Sequence, residues 1–311
     1  MVKVLSLIIN KLLFILNFII IFRYGKSIGD QLCISSLTDS IKRKYKKKKI
    51  ILIVNYPELF KFNKDIFILI KFKENSVGFF YYKVLFKLKG TCIKEFRSKF
   101  KDEGSHTYLK KIKTDEHIIK AMSHEFTDLL NVENIIIKNK FVMTENERKK
   151  IDLKFNLPKE FVLIQSEAKS HYSDLKQWDI NKIQKVLNNF QEFNWVQIGL
   201  KNDHKLKNVI DLRSKTSLRE IGFLLSNAKF MLTHEGFYSH FSSCFNLKTF
   251  VIQSGISKIL NMSYKNTINI QKVEGLDCFP CYLKTNCKKK SQECLENLSA
   301  EDVIDKVSKN I

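Results

Sequence analysis

The sequence predicts an α/β protein with two Rossmann-like halves whose sheets face each other across a cleft. Short apolar runs, typical of buried parallel strands, alternate with segments of helical length and periodicity. Only 10 Gly and 3 Pro occur in 311 residues, which argues against a loop-rich or all-β architecture. The length suffices for two domains of ordinary size. Hydrophobic residues make up 44% and charged residues 28% of the chain, as in a globular protein.

The first half opens with an apolar segment that nearly reaches membrane-spanning length. We interpret it as a helix over residues 2–15 and a buried strand over 18–23, because a strand of a sheet does not also cross a bilayer. A helix lying on a membrane surface and a membrane-spanning anchor are the alternatives that stay open. The pattern further predicts helices at 31–46, 115–131 and 144–154 and strands at 50–54, 66–72 and 134–137. Residues 77–100 are aromatic and basic and have no clear periodicity.

The second half shows a more regular alternation. Asn156-Leu157-Pro158 is the best candidate linker, so the predicted domains are 1–155 and 156–311. Strands are predicted at 161–165, 195–199, 209–212, 230–233 and 249–252, and helices at 179–190, 217–227 and 239–245. Asp179 is a candidate N-cap, and Ser217 with Glu220 has the spacing of a capping box. Strands that alternate with helices indicate parallel β-α-β units.

Three segments follow predicted strands, where open α/β sheets bind ligands. They are Ile28-Gly29-Asp30, Lys176-Gln177-Trp178 and the turn from Glu235 to His240. A carboxylate, a cation and an acidic turn with a glycine suit a phosphate-bearing donor and a hydroxyl that must lose a proton.

In this order and spacing, the segments resemble glycosyltransferase family 9, the heptosyltransferase-like enzymes of lipopolysaccharide assembly. The stretch from Asp211 to Glu220 is similar to a further family segment. The resemblance implies a GT-B fold, a nucleotide-sugar donor bound by the C-terminal domain, an acceptor bound by the N-terminal domain, and inversion at the anomeric carbon with no catalytic metal. Two departures are Glu235, where the family usually has Asp, and Ser214, where it commonly has Gly.

The resemblance implies that Asp30 is the general base, which takes the proton of the acceptor hydroxyl. Lys176 is expected to neutralise a donor phosphate as charge builds on the leaving nucleotide. For each residue a structural interpretation stays open. Asp30 is also placed to cap a helix, and Lys176 is one lysine among many in this chain.

The other donor-binding candidates are Ser166, Glu235, Gly236 and His240. Glu235 is suited to accept hydrogen bonds from sugar hydroxyls, and Gly236 permits close approach of backbone to a ligand. Ser166 follows a strand and is within expected reach of phosphate. The alternatives are an ordinary cap for Glu235, a buried structural histidine for His240 and a loop serine for Ser166.

Four cysteines, Cys278, Cys281, Cys287 and Cys294, have the spacing C-x2-C-x5-C-x6-C. Four thiolates so placed are suited to a structural zinc or iron site, and free reduced thiols are the alternative. The seven cysteines of this long chain do not form the pattern of a disulfide framework. No cofactor is expected for catalysis.

The charge of +22 favours anionic partners. The densest run, Lys42 to Lys49, has seven basic residues in eight positions. Together with the resemblance, this predicts a cytoplasmic, peripheral enzyme on the inner face of the plasma membrane. Its expected partners are a heptose or hexose nucleotide donor and a lipid-linked or core-oligosaccharide acceptor, with no nucleic acid. The rivals are a basic nucleic-acid-binding protein and a GT-B scaffold that has lost activity.

Overall fold

A computed structural model describes residues 2–23, 25, 27–95, 115–168, 173–283 and 285–311. The chain divides into two compact units, of which the first ends at Val142 and the second begins at Met143; residues 115–117 belong with the second unit. The helix that precedes the predicted linker is therefore grouped with the second unit.

The first unit contains a parallel sheet in the order β3-β2-β1-β4. The helix that opens the chain continues through a two-residue turn into the first strand, as the sequence predicts. The elements are α1 Val2–Ile15, β1 Phe18–Arg23, α2 Ile28–Lys44, β2 Lys49–Val54, β3 Ile66–Lys71, α3 Ser76–Lys87, β4 Ile93–Glu95 and α4 Ile118–Ser123. In the described part of the chain, no helix has both the length and the apolarity needed to cross a bilayer.

The core of the first unit lies between its sheet and α2. Ile19 and Ile21 of β1 and Ile50 and Leu52 of β2 are completely buried. Alternate strand residues point to opposite faces, so these side chains share the face that α2 covers with its own apolar residues.

The segment predicted as a strand at 134–137 is not one, and this prediction is wrong. A 3-10 turn covers Val132–Asn134, and residues 135–144 have no regular structure. The segment runs along α2 instead, where Ser40 Oγ accepts from Ile136 N and Ser36 Oγ donates to Lys138 O. Serine hydroxyls on the helix thus take the place of a neighbouring strand.

The second unit contains a parallel sheet in the order β10-β9-β8-β5-β6-β7. Its core includes Trp178, Trp195, Phe230 and Phe250, all at most 3% exposed. The elements are α5 Glu145–Phe155, β5 Val162–Ile164, α6 Ile180–Asn189, β6 Trp195–Gln197, β7 Ile210–Asp211, α7 Leu218–Asn227, β8 Met231–His234, α8 Phe237–Ser242, β9 Thr249–Ile252, α9 Ile259–Met262, β10 Thr267–Ile270, α10 Glu293–Glu296 and α11 Ala300–Ser308.

The predicted helix caps are confirmed. Asp179 accepts from Asn181 N, and Ser217 forms a capping box with Glu220. Thr144 caps α5 in the same way and accepts from Glu147 N. These short polar side chains satisfy amide groups that a helix start leaves without partners.

Candidate functional site

In the first unit, the loop between β1 and α2 is tied to the end of β2. Gly25 has φ +126°, a conformation that favours glycine, and its amide donates to Asn55 Oδ1. The buried Gln31 side chain donates to Gly25 O and accepts from Asn55 N and Tyr56 N. These bonds hold the loop at the carboxyl ends of two neighbouring strands.

Asp30 lies in the first turn of α2 beside this loop. Its Oδ2 is 3.1 Å from Arg23 Nη2, and the two side chains are 15% and 8% exposed. Arg23 is the last residue of β1, so the strand end places a guanidinium that orients the carboxylate. Sequence reasoning missed Arg23, although an arginine that ends a buried strand signals a carboxylate partner.

In the second unit, the predicted Lys176 and Glu235 form a buried ion pair. Lys176 Nζ is 2.8 Å from Glu235 Oε1, and the side chains are only 11% and 3% exposed. Glu235 follows β8, while Lys176 ends a 3-10 turn in the loop after the adjacent strand β5. Ser257 Oγ, in the loop after β9, lies 3.5 Å from Glu235 Oε2. Three neighbouring strands thus bring a cation, a carboxylate and a hydroxyl together at their carboxyl ends.

The loop that carries Lys176 is held by its two following residues. Gln177 Nε2 donates to Ser166 O, and Ala168 N donates to Gln177 Oε1. The indole of Trp178 is buried and donates to Leu298 O. The position of Lys176 therefore depends on the packing of Trp178 in the core of this unit.

His234 is a further residue of this site, and sequence reasoning gave it no role. Its Nε2 accepts from Trp178 N at 3.2 Å, which puts the proton of the neutral ring on Nδ1. Nδ1 is buried and has no hydrogen-bond partner in the described part of the chain. Burial lowers the pKa of His234 to about 4, so the ring stays neutral and keeps accepting from the Lys176 loop.

Gly236 separates Glu235 from α8. Its φ of +156° lies at the edge of the region that favours glycine, and a Cβ there would meet no atom within 4 Å. The Gly236 amide donates to Ser239 Oγ at 3.2 Å. The residue therefore leaves open space beside the ion pair, as expected where a ligand comes close to the backbone.

His240 and Ser166 are both held by internal hydrogen bonds. His240 Nδ1 lies 2.6 Å from the Tyr264 hydroxyl, and the ring is 6% exposed. Ser166 Oγ donates to His204 O and accepts from Gln197 Nε2, and its residue is completely buried. The Ser166 carbonyl contacts the Lys176 loop by accepting from Gln177 Nε2.

The stretch from Asp211 to Glu220, which is similar to a segment of family 9, contains an ion pair between Asp211 and Arg213. Arg213 donates to both carboxylate oxygens of Asp211, and this hydrogen bonding lowers the pKa of Asp211 to about 2. Ser214, where the family commonly has Gly, has φ +54°. The backbone conformation thus gives a physical reason for glycine at this position.

The four clustered cysteines line one pocket together with Leu175 and Gly255. Burial raises the pKa of the Cys281 and Cys294 thiols, and the charges of the neighbouring cysteines raise it further. In the described residues, no three His, Cys, Asp or Glu side chains lie close enough to hold one metal ion. Since Leu175 precedes Lys176, the pocket packs against the turn that carries the lysine.

Two all-parallel α/β units with this loop arrangement define the GT-B fold, and solved structures agree. A glycosyltransferase family 9 protein from Veillonella parvula superposes with TM-score 0.69 at 12% identity, covering 93% of this chain and 96% of that chain. ADP-heptose lipopolysaccharide heptosyltransferase II from E. coli superposes with TM-score 0.66 at 12% identity, covering 94% of this chain and 98% of that chain.

A third similar structure is the dodecameric iron-containing heptosyltransferase TibC in complex with ADP-D-β-D-heptose, with TM-score 0.66 at 11% identity, covering 94% of this chain and 75% of that chain. TibC comes from enterotoxigenic E. coli. No protein-family model matches the sequence, and no curated protein sequence matches it. The predicted GT-B fold and the resemblance to family 9 are thus confirmed at the level of the fold.

Proposed function

We propose that this protein is an inverting, metal-independent glycosyltransferase that moves a heptose or hexose from a nucleotide-sugar donor. The acceptor is a lipopolysaccharide or lipooligosaccharide core, or another cell-surface glycan. The observation that carries the proposal is the buried Lys176–Glu235 pair at the carboxyl ends of adjacent strands. Support comes from the likeness to heptosyltransferases whose structures are solved, including one with ADP-heptose.

In the proposed donor site, Lys176 neutralises a phosphate of the nucleotide and stabilises the charge that builds as the sugar leaves. Glu235 holds the lysine in place and accepts hydrogen bonds from sugar hydroxyls. Gly236 lets the donor approach the backbone, and His240 supports the turn through Tyr264. Ser166 acts by holding the loop, because its hydroxyl is already bonded within the protein.

In the proposed acceptor site, Asp30 takes the proton of the attacking hydroxyl. The acceptor oxygen attacks the anomeric carbon, the bond to the nucleotide phosphate breaks, and the Asp30 carboxylate receives the proton. Arg23 positions the carboxylate through its ion pair. Because the hydroxyl enters opposite the leaving phosphate, the anomeric configuration inverts.

The donor is tested by titrating ADP-, GDP-, UDP- and dTDP-sugars while following the melting temperature. We expect a selective rise with one nucleotide. Lys176→Ala alone leaves a buried carboxylate without its cation, so the double variant K176M/E235Q is the better test, because it removes both charges. It should fold and show no rise. Lys185→Ala, on the exposed side of α6, is the control. No rise with any donor in the wild type refutes the proposal and favours the inactive scaffold.

The base is tested with the Asp30→Asn variant once the donor is known. General base catalysis contributes roughly a hundredfold to ten-thousandfold, so transfer should fall by that amount while donor binding is unchanged. Asp39→Asn, on the same helix, is the control. Full transfer activity in D30N excludes the role of Asp30.

We also propose that the cysteine cluster holds a structural zinc or iron. Four thiols line one pocket, which is a suitable donor set, and coordination requires them to come closer together than they lie here. The structurally similar TibC is iron-containing. Metal analysis should find about one ion per chain in the wild type and in Cys244→Ser, and none in C281S/C294S. Wild-type protein without metal after anaerobic purification refutes this site.

We propose further that the enzyme acts in the cytoplasm, on the inner face of the plasma membrane. A lipid-linked acceptor would be found there, and the charge of +22 favours an anionic surface. Fractionation of cells into membrane and soluble parts tests this location. Release from the membrane fraction by high salt is expected of a peripheral protein, and recovery in the soluble fraction at low salt contradicts the proposal.

A further inference from the structure

The large exposed hydrophobic side chains of this protein are concentrated on three elements of the first unit. In the described residues, α1, β3 and α3 carry sixteen of them, whereas the second unit carries five. Leu7 of α1 is 71% exposed and Phe80 of α3 is 63% exposed. We refer to the surface of α1, β3 and α3 as the apolar face. An apolar surface of this extent marks an interaction site.

The helix α1 is anchored on its unit by one buried polar residue. Asn10 Nδ2 donates to Leu88 O at 2.9 Å, and its Oδ1 accepts from Cys92 N at 2.7 Å. Ser6 Oγ also donates to Leu88 O, directly after α3. With its polar side fixed in this way, α1 presents its apolar side chains outward next to α3.

The edge strand β3 adds further exposed apolar side chains to the apolar face. The parallel register pairs Ile51 with Ile68 and Ile53 with Ile70, so these side chains lie on one face of the sheet. Ile68 and Ile70 on the edge strand are each 42% exposed, whereas Leu52, on the opposite face, is completely buried. The Phe18 and Phe67 rings, 5.9 Å apart, connect the start of β1 to this edge.

The apolar face carries only positive charge. Its three elements contain five lysines, Lys3, Lys11, Lys71, Lys83 and Lys87, and no Asp or Glu. All five lysines are exposed. Lys49, from the basic run Lys42 to Lys49, lies over both Phe18 and Phe67 at 5.4 and 5.1 Å from the ring centroids. The basic run therefore borders the same face.

We propose that the apolar face docks on an anionic lipid bilayer. Apolar and aromatic side chains enter the boundary between headgroups and acyl chains, while lysines extend to the phosphates. The helix α1 lies on the surface and does not span it, since its 14 residues extend about 21 Å, less than the roughly 30 Å of a hydrocarbon core. The inference deepens the proposed membrane location and rests on it, but it uses none of the donor-site residues.

The test is flotation of the full chain with vesicles of phosphatidylcholine, with and without phosphatidylglycerol. We expect the protein to float only with vesicles that contain phosphatidylglycerol, and high salt should release it from them. L7S/F80S and K83E/K87E should each lower the bound fraction at least about tenfold, because they remove apolar burial or charge attraction. The matched controls in the second unit are L153S/L200S at exposed leucines and K149E/K150E at exposed lysines, and both should float like the wild type.

Absence of flotation by the wild type overturns the proposal, as does an equal loss in the control variants. A wild-type dimer that L7S/F80S dissociates, without any lipid binding, assigns the face to a second copy of the chain instead. Nucleotide-sugar binding by all soluble variants is measured in parallel. Flotation without donor binding refutes the transferase and leaves the docking face, whereas donor binding without flotation refutes the docking face alone.

Discussion

At the scale of single residues, the buried Lys176–Glu235 pair is expected to stabilise the fold as well as to form part of the proposed donor site. Two charges that are 11% and 3% exposed depend on each other, because neither retains much water. We predict that Lys176→Met or Glu235→Gln alone lowers the free energy of unfolding by about 3–5 kcal/mol, and that the double variant recovers part of this loss. The free energies of unfolding of the single and double variants are measured by urea denaturation. Additive losses in the double variant would show that the two side chains do not interact.

His234 gives the second prediction at this scale, through pH. Its pKa is about 4 in the fold and near 6.5 when unfolded, so between these values the unfolded chain binds more protons. Its contribution to stability is therefore complete above pH 6.5 and declines as the pH falls toward 4. The decline from pH 6.5 to 5 is about 1.5 kcal/mol.

His234→Gln keeps an acceptor for Trp178 N but does not titrate. Its stability should therefore fall less than that of the wild type between pH 6.5 and 5, as followed by urea unfolding. His124→Gln, which changes a histidine of the first unit, is the control. Identical pH profiles for H234Q and the wild type are incompatible with a buried neutral His234.

At the scale of elements, α1 depends on its anchor. Asn10→Ala leaves the buried backbone amides of Cys92 and Ile93 without their acceptor, so we predict a loss of about 1–3 kcal/mol in unfolding free energy. Hydrogen exchange should also become faster at the Cys92 and Ile93 amides. The exposed Asn146→Ala on α5 is the control, and unchanged exchange in N10A would mean that α1 is held by its apolar contacts alone.

Several elements could be predicted from local pattern, and others could not. Ser217 with Glu220 marks the start of α7, because capping is a local interaction. The periodicity missed α3, which has no buried residues, and β10, a four-residue edge strand. The strand predicted at 134–137 has an apolar pattern, but its hydrogen bonds go to the serines of α2. The hydrogen-bond partners of a backbone segment depend on which element of the fold packs beside it, and the local sequence does not specify that element.

At the scale of the whole molecule, the net charge of +22 acts on any polyanion. We predict weak binding to unrelated RNA and DNA oligonucleotides at low ionic strength, with equal affinities and a steep loss as salt rises. Nucleotide-sugar binding should persist at the salt concentration that abolishes oligonucleotide binding. Fluorescence anisotropy measures both, and a sequence-selective affinity at physiological salt would favour the nucleic-acid-binding rival.

The sequence alone determined the two parallel α/β units, the strands that precede the candidate ligand-binding segments, and the residue types that follow those strands. These features follow from strand and helix periodicity and from local caps, which depend on near neighbours in the chain. The positions after predicted strands, together with the resemblance to glycosyltransferase family 9, singled out Asp30, Lys176 and Glu235. Only the tertiary structure decided their partners, because Arg23, Ser257 and His234 reach the sites through strand order and register. It also decided that Ser166 is occupied internally and that α1, β3 and α3 share one apolar, basic face, since burial depends on the packing of distant segments.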